Sequence, residues 1–240
     1  MTSFQSGGTG HDGTCRSTLP RRRLLQSLGS VPMLQALAPG HALAADTPRR
    51  GGTLRLAAPY NPQSLDPLTG ALGHDHIFLY PMFDTLVEFE PRSLAPRPGL
   101  ATAWEYPDPK TLVMTLREGI RFHDGTAFDA SAVKANLDRA LTDPRSSVKG
   151  DLQSLASIEV LAPNKVALHL NRPDTALPLI LADRSGMMSS PKAAAEHGKL
   201  YDRNPVGTGP FRFQRWDEGD IIVVVRNATT GSPACPISMA

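Results

Sequence analysis

The amino-acid sequence predicts a mixed α/β fold, and three observations lead to this prediction. Short segments rich in β-branched residues recur between turn residues, as β-strands do. Residues 130–141 instead repeat their apolar side chains at helical spacing. Apolar residues make up 40% of the 240 residues and charged residues 20%, which is typical of a globular domain rather than an integral membrane protein.

The first elements of the fold are predicted between residues 53 and 89. Residues 53–58 predict a first buried strand, bounded by glycines before it and Pro59 after it. Residues 61–67 are rich in turn residues and predict a loop that leaves the end of this strand. A short helix within 77–82 and a strand at 86–89 are expected to follow.

Two β-hairpins are predicted further along the chain. Residues 111–116 form the first strand of one hairpin, and a turn at 117–119 leads to its return strand at 120–122. The other hairpin pairs residues 157–161 with residues 165–170 across an Ala-Pro-Asn turn. Its second strand is expected to bury Val166, Leu168 and Leu170.

The longest predicted helix covers residues 130–141. Asp129 stands at its N-cap, where a carboxylate accepts a backbone N–H, and Pro144 ends it because the residue before a proline is steered away from the helical conformation. Two shorter helices are predicted at 177–181 and 190–197, the second with a serine cap and a proline in its first turn.

The C-terminal part begins with a Gly-Thr-Gly-Pro turn and two predicted strands, at 211–216 and 221–226. Both tryptophans, Trp104 and Trp216, are expected in the core rather than in contact with a ligand. Residues 228–240 change abruptly to small residues and prolines without periodicity, which is a poor end for a strand-rich domain.

The N-terminal 44 residues have the layout of an export signal. Arg21 and Arg22 precede a mildly apolar segment that ends in small residues at Ala42 and Ala44. The pattern resembles a twin-arginine signal, so cleavage after Ala44 and export to a periplasm are expected. A disordered basic tail is the alternative, although such a tail need not be followed by an apolar segment and a small-residue cleavage site.

Removal of this signal would leave a chain without basic excess. The formal charge of the whole chain is +2, and four arginines but only one aspartate lie in the first 44 residues. The remainder, which starts with a spacer at 45–52, is close to neutral, so nucleic acid is not an expected partner. Cys15 would leave with the signal, so Cys235 has no internal disulfide partner. No cysteine directly follows the apolar segment, so a lipid anchor at the mature N-terminus is not expected.

Several motifs within residues 51–227 occur in an order that resembles a known family. They are Leu65-Asp66-Pro67, Pro98-Gly-Leu-Ala101 with Trp104, Arg117-Glu-Gly-Ile-Arg-Phe-His-Asp-Gly125, Phe128-Asp129-Ala130 and Pro205-Val-Gly-Thr-Gly-Pro-Phe211. In this order they resemble the extracytoplasmic solute-binding proteins of peptide/nickel ABC importers, of the dipeptide/oligopeptide-binding type known as family 5.

The resemblance implies a two-lobed, periplasmic binding protein-like clamp that encloses a peptide or similar small solute and delivers it to an ABC transporter permease. No cofactor and no covalent chemistry are implied, and the complete protein is expected to be a monomer. Residues 53–227 correspond to most of the first lobe, and the family pattern is lost at 228–240. The chain is therefore expected to be C-terminally truncated, and it could be a non-binding remnant. A binding protein for a nickel chelate, glutathione or haem is a further alternative.

The candidate ligand-binding residues lie in loops around this lobe. They are Asn61, His74, His76, Tyr80, Arg145, Arg184 and Ser185. Arg145 and Arg184 could offer guanidinium groups to a ligand carboxylate, or they could be ordinary surface arginines. The resemblance places the loop with both histidines and Tyr80 at the rim of the ligand cleft.

Two histidine motifs could suggest other chemistry. His74 and His76 would share one side of an extended segment and could bind a metal, but no third ligand lies nearby in sequence, and an exposed loop is the alternative. His123 and Asp124 belong to an Asp-Gly turn, where the histidine is expected to cap or pack rather than to catalyse. No other catalytic motif occurs, so an enzyme is not expected.

Overall fold

The computed structural model describes residues 51–228 of the chain. The expected export signal, the spacer up to residue 50, both cysteines and residues 229–240 lie outside the described residues.

The described residues form eight strands, four helices and three 3₁₀ turns. The strands are β1 (Val87–Phe89), β2 (Pro96–Pro98), β3 (Ala101–Asp108), β4 (Thr111–Leu116), β5 (Leu155–Ala162), β6 (Lys165–Leu170), β7 (Phe211–Asp217) and β8 (Ile221–Arg226). The helices are α1 (His76–Leu79), α2 (Ala130–Thr142), α3 (Leu177–Ile180) and α4 (Pro191–His197). The 3₁₀ turns are Gly73–Asp75, Arg184–Gly186 and Gly198–Arg203. This composition confirms the predicted mixed α/β class.

The largest sheet has four antiparallel strands in the order β3-β4-β6-β5. In its central pair, Leu112 lies opposite Leu168 and Met114 lies opposite Val166. All four side chains are fully buried, because alternate residues of a strand point to the same face and this face is covered. The sheet therefore supplies one wall of the main core.

Helix α2 covers this wall. Asp129 caps it as predicted, with its carboxylate accepting the N–H of Ala132 at 2.9 Å. Val133 and Leu137 join the buried cluster that contains the central strands. Lys134 Nζ donates to the carbonyl of Ile158 in β5 at 3.1 Å, which fixes the helix against that edge of the sheet.

A smaller core lies beside the β7–β8 hairpin, which forms a separate two-stranded sheet. Its buried members are Leu65, Leu79, Met82, Phe83 and Met187. Phe213 and Trp216 of β7 and Ile222 and Val224 of β8 pack against it while remaining partly exposed. Trp216 is thus only half-buried, and Trp104 is likewise partly buried against the main core rather than within it.

Several predicted elements are confirmed where local sequence signals determine them. The hairpin of β5 and β6 forms around the predicted turn, and the three predicted residues of β6 are buried. Helix α4 starts behind Ser190, whose hydroxyl accepts the N–H of Ala193 at 3.2 Å. The short helix α1, the strand β1, the helix α3 and the β7–β8 pair also lie where the sequence predicts them.

The predicted first strand at 53–58 is wrong. These residues pair with no strand within the described part of the chain, and Leu54 and Leu56 are 56% and 65% exposed. The alternation of apolar residues suits a strand, but a strand also needs the backbone hydrogen bonds of a neighbour. Among residues 51–228 no strand is hydrogen-bonded to this segment, although Leu54 and Leu56 line a groove together with Ile222 and Val224 of β8.

The predicted hairpin of 111–116 with 120–122 is also wrong. The partners of β4 are β3, which precedes it, and β6, which lies about 50 residues further along the chain. Residues 120–122 make only an isolated bridge between Arg121 and Ala127. Gly119, with φ +78°, turns the chain out of the sheet instead of back along it.

Candidate functional site

The loops that carry the candidate residues are positioned by a buried ion pair. Asp66, which is 1% exposed, is paired with Arg139 of α2. The same carboxylate accepts the N–H of Leu68 at 3.1 Å, and the Arg139 guanidinium lies 5.3 Å from the ring centre of Tyr201. This pair ties the Leu65-Asp66-Pro67 motif to the helix that covers the main sheet.

A second carboxylate, Asp75, is buried inside the next loop. Its side chain is fully buried, and its Oδ1 accepts the N–H of Gln63 at 3.1 Å. Its Oδ2 has no hydrogen-bond partner among the described residues. Gly70 allows this close packing, because a Cβ at that position would stand 2.7 Å from Asp75 Oδ2. The carboxylate thus holds residue 63 against the segment that leads into α1.

His76 and Tyr80 form a cluster with Asp183, a residue that the sequence did not indicate. Nδ1 of His76 lies 2.6 Å from the Gly73 carbonyl, and Nε2 lies 2.5 Å from Asp183 Oδ1. The Tyr80 ring stacks on His76 with centroids 5.5 Å apart, and its hydroxyl donates to Asp183 Oδ1 at 3.4 Å. Burial and the Asp183 carboxylate raise the pKa of Tyr80 to about 12, so this hydroxyl remains a donor at neutral pH.

His74 points away from this cluster. Its ring lies 4.0 Å from that of Tyr60, and its Nε2 is 3.7 Å from Asp75 Oδ1. The two histidines do not share one side of the segment, because the segment is a 3₁₀ turn followed by a helix rather than a strand. Residues 51–228 contain no group of three or more His, Cys, Asp or Glu side chains placed to hold a metal ion.

Arg184 and Ser185 are buried, whereas a surface position was one expectation for Arg184. The guanidinium donates from Nε to the Pro67 carbonyl at 3.2 Å and from Nη2 to Ser147 Oγ at 3.1 Å. Burial lowers the pKa of Arg184. The Ser185 hydroxyl donates to Asp151 Oδ2 at 3.4 Å. Arg184 therefore joins its loop to Pro67 and Ser147, and Ser185 joins the same loop to Asp151.

Arg145 and Asn61 are exposed. Arg145 folds back onto Asp143, with Nη2 2.9 Å from Oδ2 and Nε 3.2 Å from Oδ1. Ser147 joins the loop of Arg145 to the loop that contains Gly70, because the Ser147 hydroxyl donates to the Gly70 carbonyl at 2.7 Å. Asn61 and Tyr60 line an open groove of about 390 Å³.

The candidate residues thus lie on three loops that contact one another, residues 60–80, 143–147 and 183–185. Sequence reasoning missed the residues that hold these loops together, namely Asp75, Ser147, Asp151 and Asp183. Asp66 has a similar role and could be found from the sequence, because it belongs to the Leu-Asp-Pro motif. The four missed residues have no such motif, since their partners lie on other loops that only the fold brings together.

His123 and Asp124 have the capping role that the sequence predicts. His123 Nε2 lies 2.9 Å from the Gly209 carbonyl and Nδ1 accepts the N–H of Gly207 at 3.3 Å, so the neutral ring serves both contacts. Burial lowers the pKa of His123, which favours this neutral form. Asp124 accepts the hydroxyl of Ser190 at 2.5 Å. His123 thus fixes the Gly-Thr-Gly-Pro turn, and Asp124 holds the serine that caps α4.

A β-rich lobe with polar loops gathered beside a groove is the architecture of one part of a periplasmic binding protein, and solved structures of that class match this fold. AgaA from A. tumefaciens R10, in complex with agropinic acid, aligns with a TM-score of 0.66 and 29% identity over 72% of this chain and 35% of its own. The periplasmic binding protein DppA from Helicobacter pylori, in complex with the peptide STSA, aligns with a TM-score of 0.65 and 25% identity over 72% of this chain and 38% of its own.

The chain belongs to the bacterial extracellular solute-binding proteins of family 5. The sequence model of this family, described as "Bacterial extracellular solute-binding proteins, family 5 Middle", matches residues 95–233, which is more than half of the chain. The glutathione-binding protein GsiB of Escherichia coli O1:K1 / APEC is 40% identical over 131 residues. The match covers 54% of this chain but only 25% of GsiB, so the chain spans about a quarter of that relative. None of the helices within residues 51–228 is long and apolar enough to cross a membrane.

Proposed function

We propose that the protein captures peptides or similar small solutes outside the cytoplasm and delivers them to the permease of an ABC importer. Membership of the family 5 solute-binding proteins is the observation that carries this proposal. Capture and release involve no covalent step. Because the chain spans about a quarter of GsiB, solute binding by this chain alone is part of what is proposed. Export to the periplasm by the twin-arginine route belongs to the same proposal.

The solute contacts are proposed to come from exposed and half-buried side chains of the converging loops. Asn61 lines the open groove with Tyr60, whose ring contacts His74, while His76 and Tyr80 present a stacked pair of rings next to Asp183. Such a mixture of aromatic faces and hydrogen-bonding tips suits a peptide, which offers both apolar and polar groups.

The three remaining candidates are proposed to act differently from one another. Arg184 and Ser185 are buried, so they support the loops rather than reach the solute. Arg145 is exposed, and its one ion pair within residues 51–228 is with Asp143, two residues away, so its guanidinium can turn to a solute carboxylate at little cost.

Thermal unfolding of the full chain in the presence of solutes tests the proposal. The panel consists of di- and tripeptides, glutathione, a nickel–histidine chelate and haem, with glutathione of particular interest because GsiB is 40% identical. A solute present at about 100 times its Kd stabilises the folded state by about 2.7 kcal/mol, which raises the Tm measurably. If none of the panel raises the Tm, the chain is a non-binding remnant and the proposal fails.

The variant Tyr80→Phe tests the location of the site. It removes the hydroxyl next to Asp183 and should weaken the binding of the stabilising solute about threefold to tenfold, the effect of one hydrogen bond. Tyr106→Phe is the matched control, because the Tyr106 hydroxyl donates to the Asp174 carbonyl at 2.7 Å, away from these loops. Isothermal titration calorimetry measures both affinities. Equal affinities in the two variants would place the site elsewhere.

A further inference from the structure

The two ring nitrogens of His76 both face hydrogen-bond acceptors. Nδ1 lies 2.6 Å from the Gly73 carbonyl oxygen, and Nε2 lies 2.5 Å from Oδ1 of Asp183. A carbonyl oxygen and a carboxylate only accept, so each nitrogen has to donate for both contacts to form. A neutral imidazole has one N–H group and an imidazolium has two. The arrangement therefore requires the protonated, positively charged ring.

Two other histidines have contacts that a neutral ring satisfies. His123 faces one carbonyl acceptor and one backbone N–H donor, so a ring with a single proton serves both. The ring of His169 has one hydrogen-bonded acceptor within residues 51–228, Glu159 Oε2 at 2.9 Å, which a neutral ring with its proton on Nε2 can reach. Of these three histidines, His76 alone needs two donors.

Asp183 supplies the one side-chain acceptor at hydrogen-bonding distance from the His76 ring among the described residues. The Tyr80 hydroxyl also donates to Asp183, and burial together with this carboxylate raises the pKa of Tyr80 to about 12, so the hydroxyl keeps its proton while histidines titrate. The other charged or titratable groups nearby have other contacts: Asp75 accepts from Gln63, His74 contacts Tyr60, and Arg184 donates to Pro67 and Ser147. The proton of His76 therefore decides whether both of its contacts coexist.

The contact between His76 and Asp183 joins two of the loops that carry the candidate residues. The two residues are 107 positions apart in sequence, so their contact links the 73–80 loop to the 183–185 loop. The Tyr80 ring stacks on His76 with centroids 5.5 Å apart, so the positions of both rings depend on this contact. A loop that is already ordered before binding raises affinity, because its ordering does not have to accompany binding.

We propose that His76 is a positioning residue whose protonated ring links the 73–80 loop to Asp183, so that the proposed solute site is ordered at acidic pH and loosens as the pH rises. A contact that requires a bound proton is lost as the pH rises, and histidines titrate between about pH 5 and pH 8. The side chain is 24% exposed, so water can deliver and remove the proton. The effect on solute binding rests on the proposed function, whereas the link between the loops forms without solute.

Nuclear magnetic resonance of the histidine ring nitrogens in the full chain tests the protonation directly. Long-range ¹H–¹⁵N correlations distinguish a ring with two N–H groups from either neutral tautomer, and His76→Gln assigns the signals of His76. At about pH 5.5, His76 should have two protonated nitrogens. His123 should have one at the same pH, because burial lowers its pKa. A neutral His76 ring at about pH 5.5 would overturn the proposal.

Thermal unfolding at two pH values tests the link between the loops. His76→Gln should lower the Tm by about 3 °C or more at about pH 5.5, and by less than about 1 °C at about pH 8.5. His169→Gln is the matched control, because it removes an exposed histidine–carboxylate contact, and it should shift the Tm by less than about 1 °C at both pH values. An equal shift from His76→Gln at both pH values contradicts the proposal.

The variant Asp183→Asn separates the proton from the shape of the contact. The carboxamide can turn its NH₂ group to Nε2, so a neutral His76 would again satisfy both contacts. In the Asp183→Asn background, His76→Gln should therefore change the Tm equally at about pH 5.5 and about pH 8.5. A pH-dependent effect of His76→Gln that persists in this background would refute the role of the carboxylate.

Calorimetric titration with the stabilising solute tests the effect on binding. The affinity should fall about threefold to tenfold between about pH 5.5 and about pH 8.5 in the wild type, and less in Asp183→Asn. The same pH dependence in both proteins would show that the link does not order the solute site. If no solute binds while the ring-nitrogen and Tm results are as expected, the link between the loops stands and the proposed function fails.

Discussion

Removal of the Arg139 guanidinium is the perturbation whose cost the structure predicts most directly. Asp66 is 1% exposed, and Arg139 is its only cationic partner at hydrogen-bonding distance among the described residues. Arg139→Met keeps much of the side-chain volume but leaves the buried carboxylate without its counter-charge. Breaking a buried ion pair by removing one partner costs about 3–5 kcal/mol.

The structure places the expected cost near the lower end of this range. Asp66 Oδ1 would keep the N–H of Leu68 at 3.1 Å, so only Oδ2 would be left without a donor. The Arg139 side chain also contacts the ring of Tyr201, and methionine retains part of that contact. We therefore expect Arg139→Met to lower the free energy of unfolding by about 3 kcal/mol.

Urea denaturation followed by tryptophan fluorescence measures this change. Arg145→Met is the matched control, because Arg145 is itself exposed and its partner Asp143 keeps Arg139 Nε 3.9 Å away, so this variant should lose less than about 1 kcal/mol. The double variant Asp66→Asn, Arg139→Met removes the uncompensated charge and should recover part of the loss. If Arg139→Met costs no more than Arg145→Met, Asp66 is solvated in the folded protein and the reasoning about its burial is wrong.

Two further predictions concern the packing and charge around the Gly-Thr-Gly-Pro turn. Gly207→Ala should lose about 2 kcal/mol or more in urea denaturation, because its Cβ would stand 2.1 Å from the Met82 carbonyl oxygen, whereas Gly150→Ala meets no atom within 4 Å and should change stability little. Burial, with a further contribution from Glu88, raises the pKa of Asp84, so the folded state binds this proton more tightly than the unfolded chain does. The ionised carboxylate therefore destabilises the fold at neutral pH, and Asp84→Asn should be more stable than wild type at about pH 7, with the difference closing as the pH falls through the folded-state pKa. If Gly207→Ala and Gly150→Ala lose the same free energy of unfolding, the packing argument is refuted. If the stability difference between Asp84→Asn and wild type stays the same or grows on acidification, the pKa argument is refuted.

The sequence predicted well those elements whose signals are local. Helix α2 needs only its own apolar spacing, the carboxylate of Asp129 at one end and Pro144 at the other. The β5–β6 hairpin needs only two alternating segments and the turn between them. Residues 53–58 have the same alternation but pair with no neighbour in the described part of the chain, and a pattern within one segment cannot reveal that.

The candidate site was less predictable because its contacts join distant parts of the chain. The i, i+2 spacing of His74 and His76 would put both rings on one side of a strand, but a 3₁₀ turn and a helix separate them. The partner of His76 is Asp183, which lies 107 residues away. The sequence left Arg184 as either a ligand contact or a surface arginine, and only the folded chain shows that it is buried, with its guanidinium donating to the Pro67 carbonyl and to Ser147 Oγ.

The buried carboxylates account for how the loops of the proposed solute site are held in place. A loop that must present Tyr80 and Asn61 to solvent cannot also bury large apolar side chains at those positions, so its position has to be set by polar contacts beneath the surface. Asp66 and Asp75 do this from inside, since each accepts a backbone N–H of its own loop while fully or almost fully buried. A buried carboxylate tolerates little displacement, because every lost donor leaves charge without compensation. We therefore expect the rigidity of the proposed site to come from Asp66 and Asp75, which are too deeply buried to reach a solute.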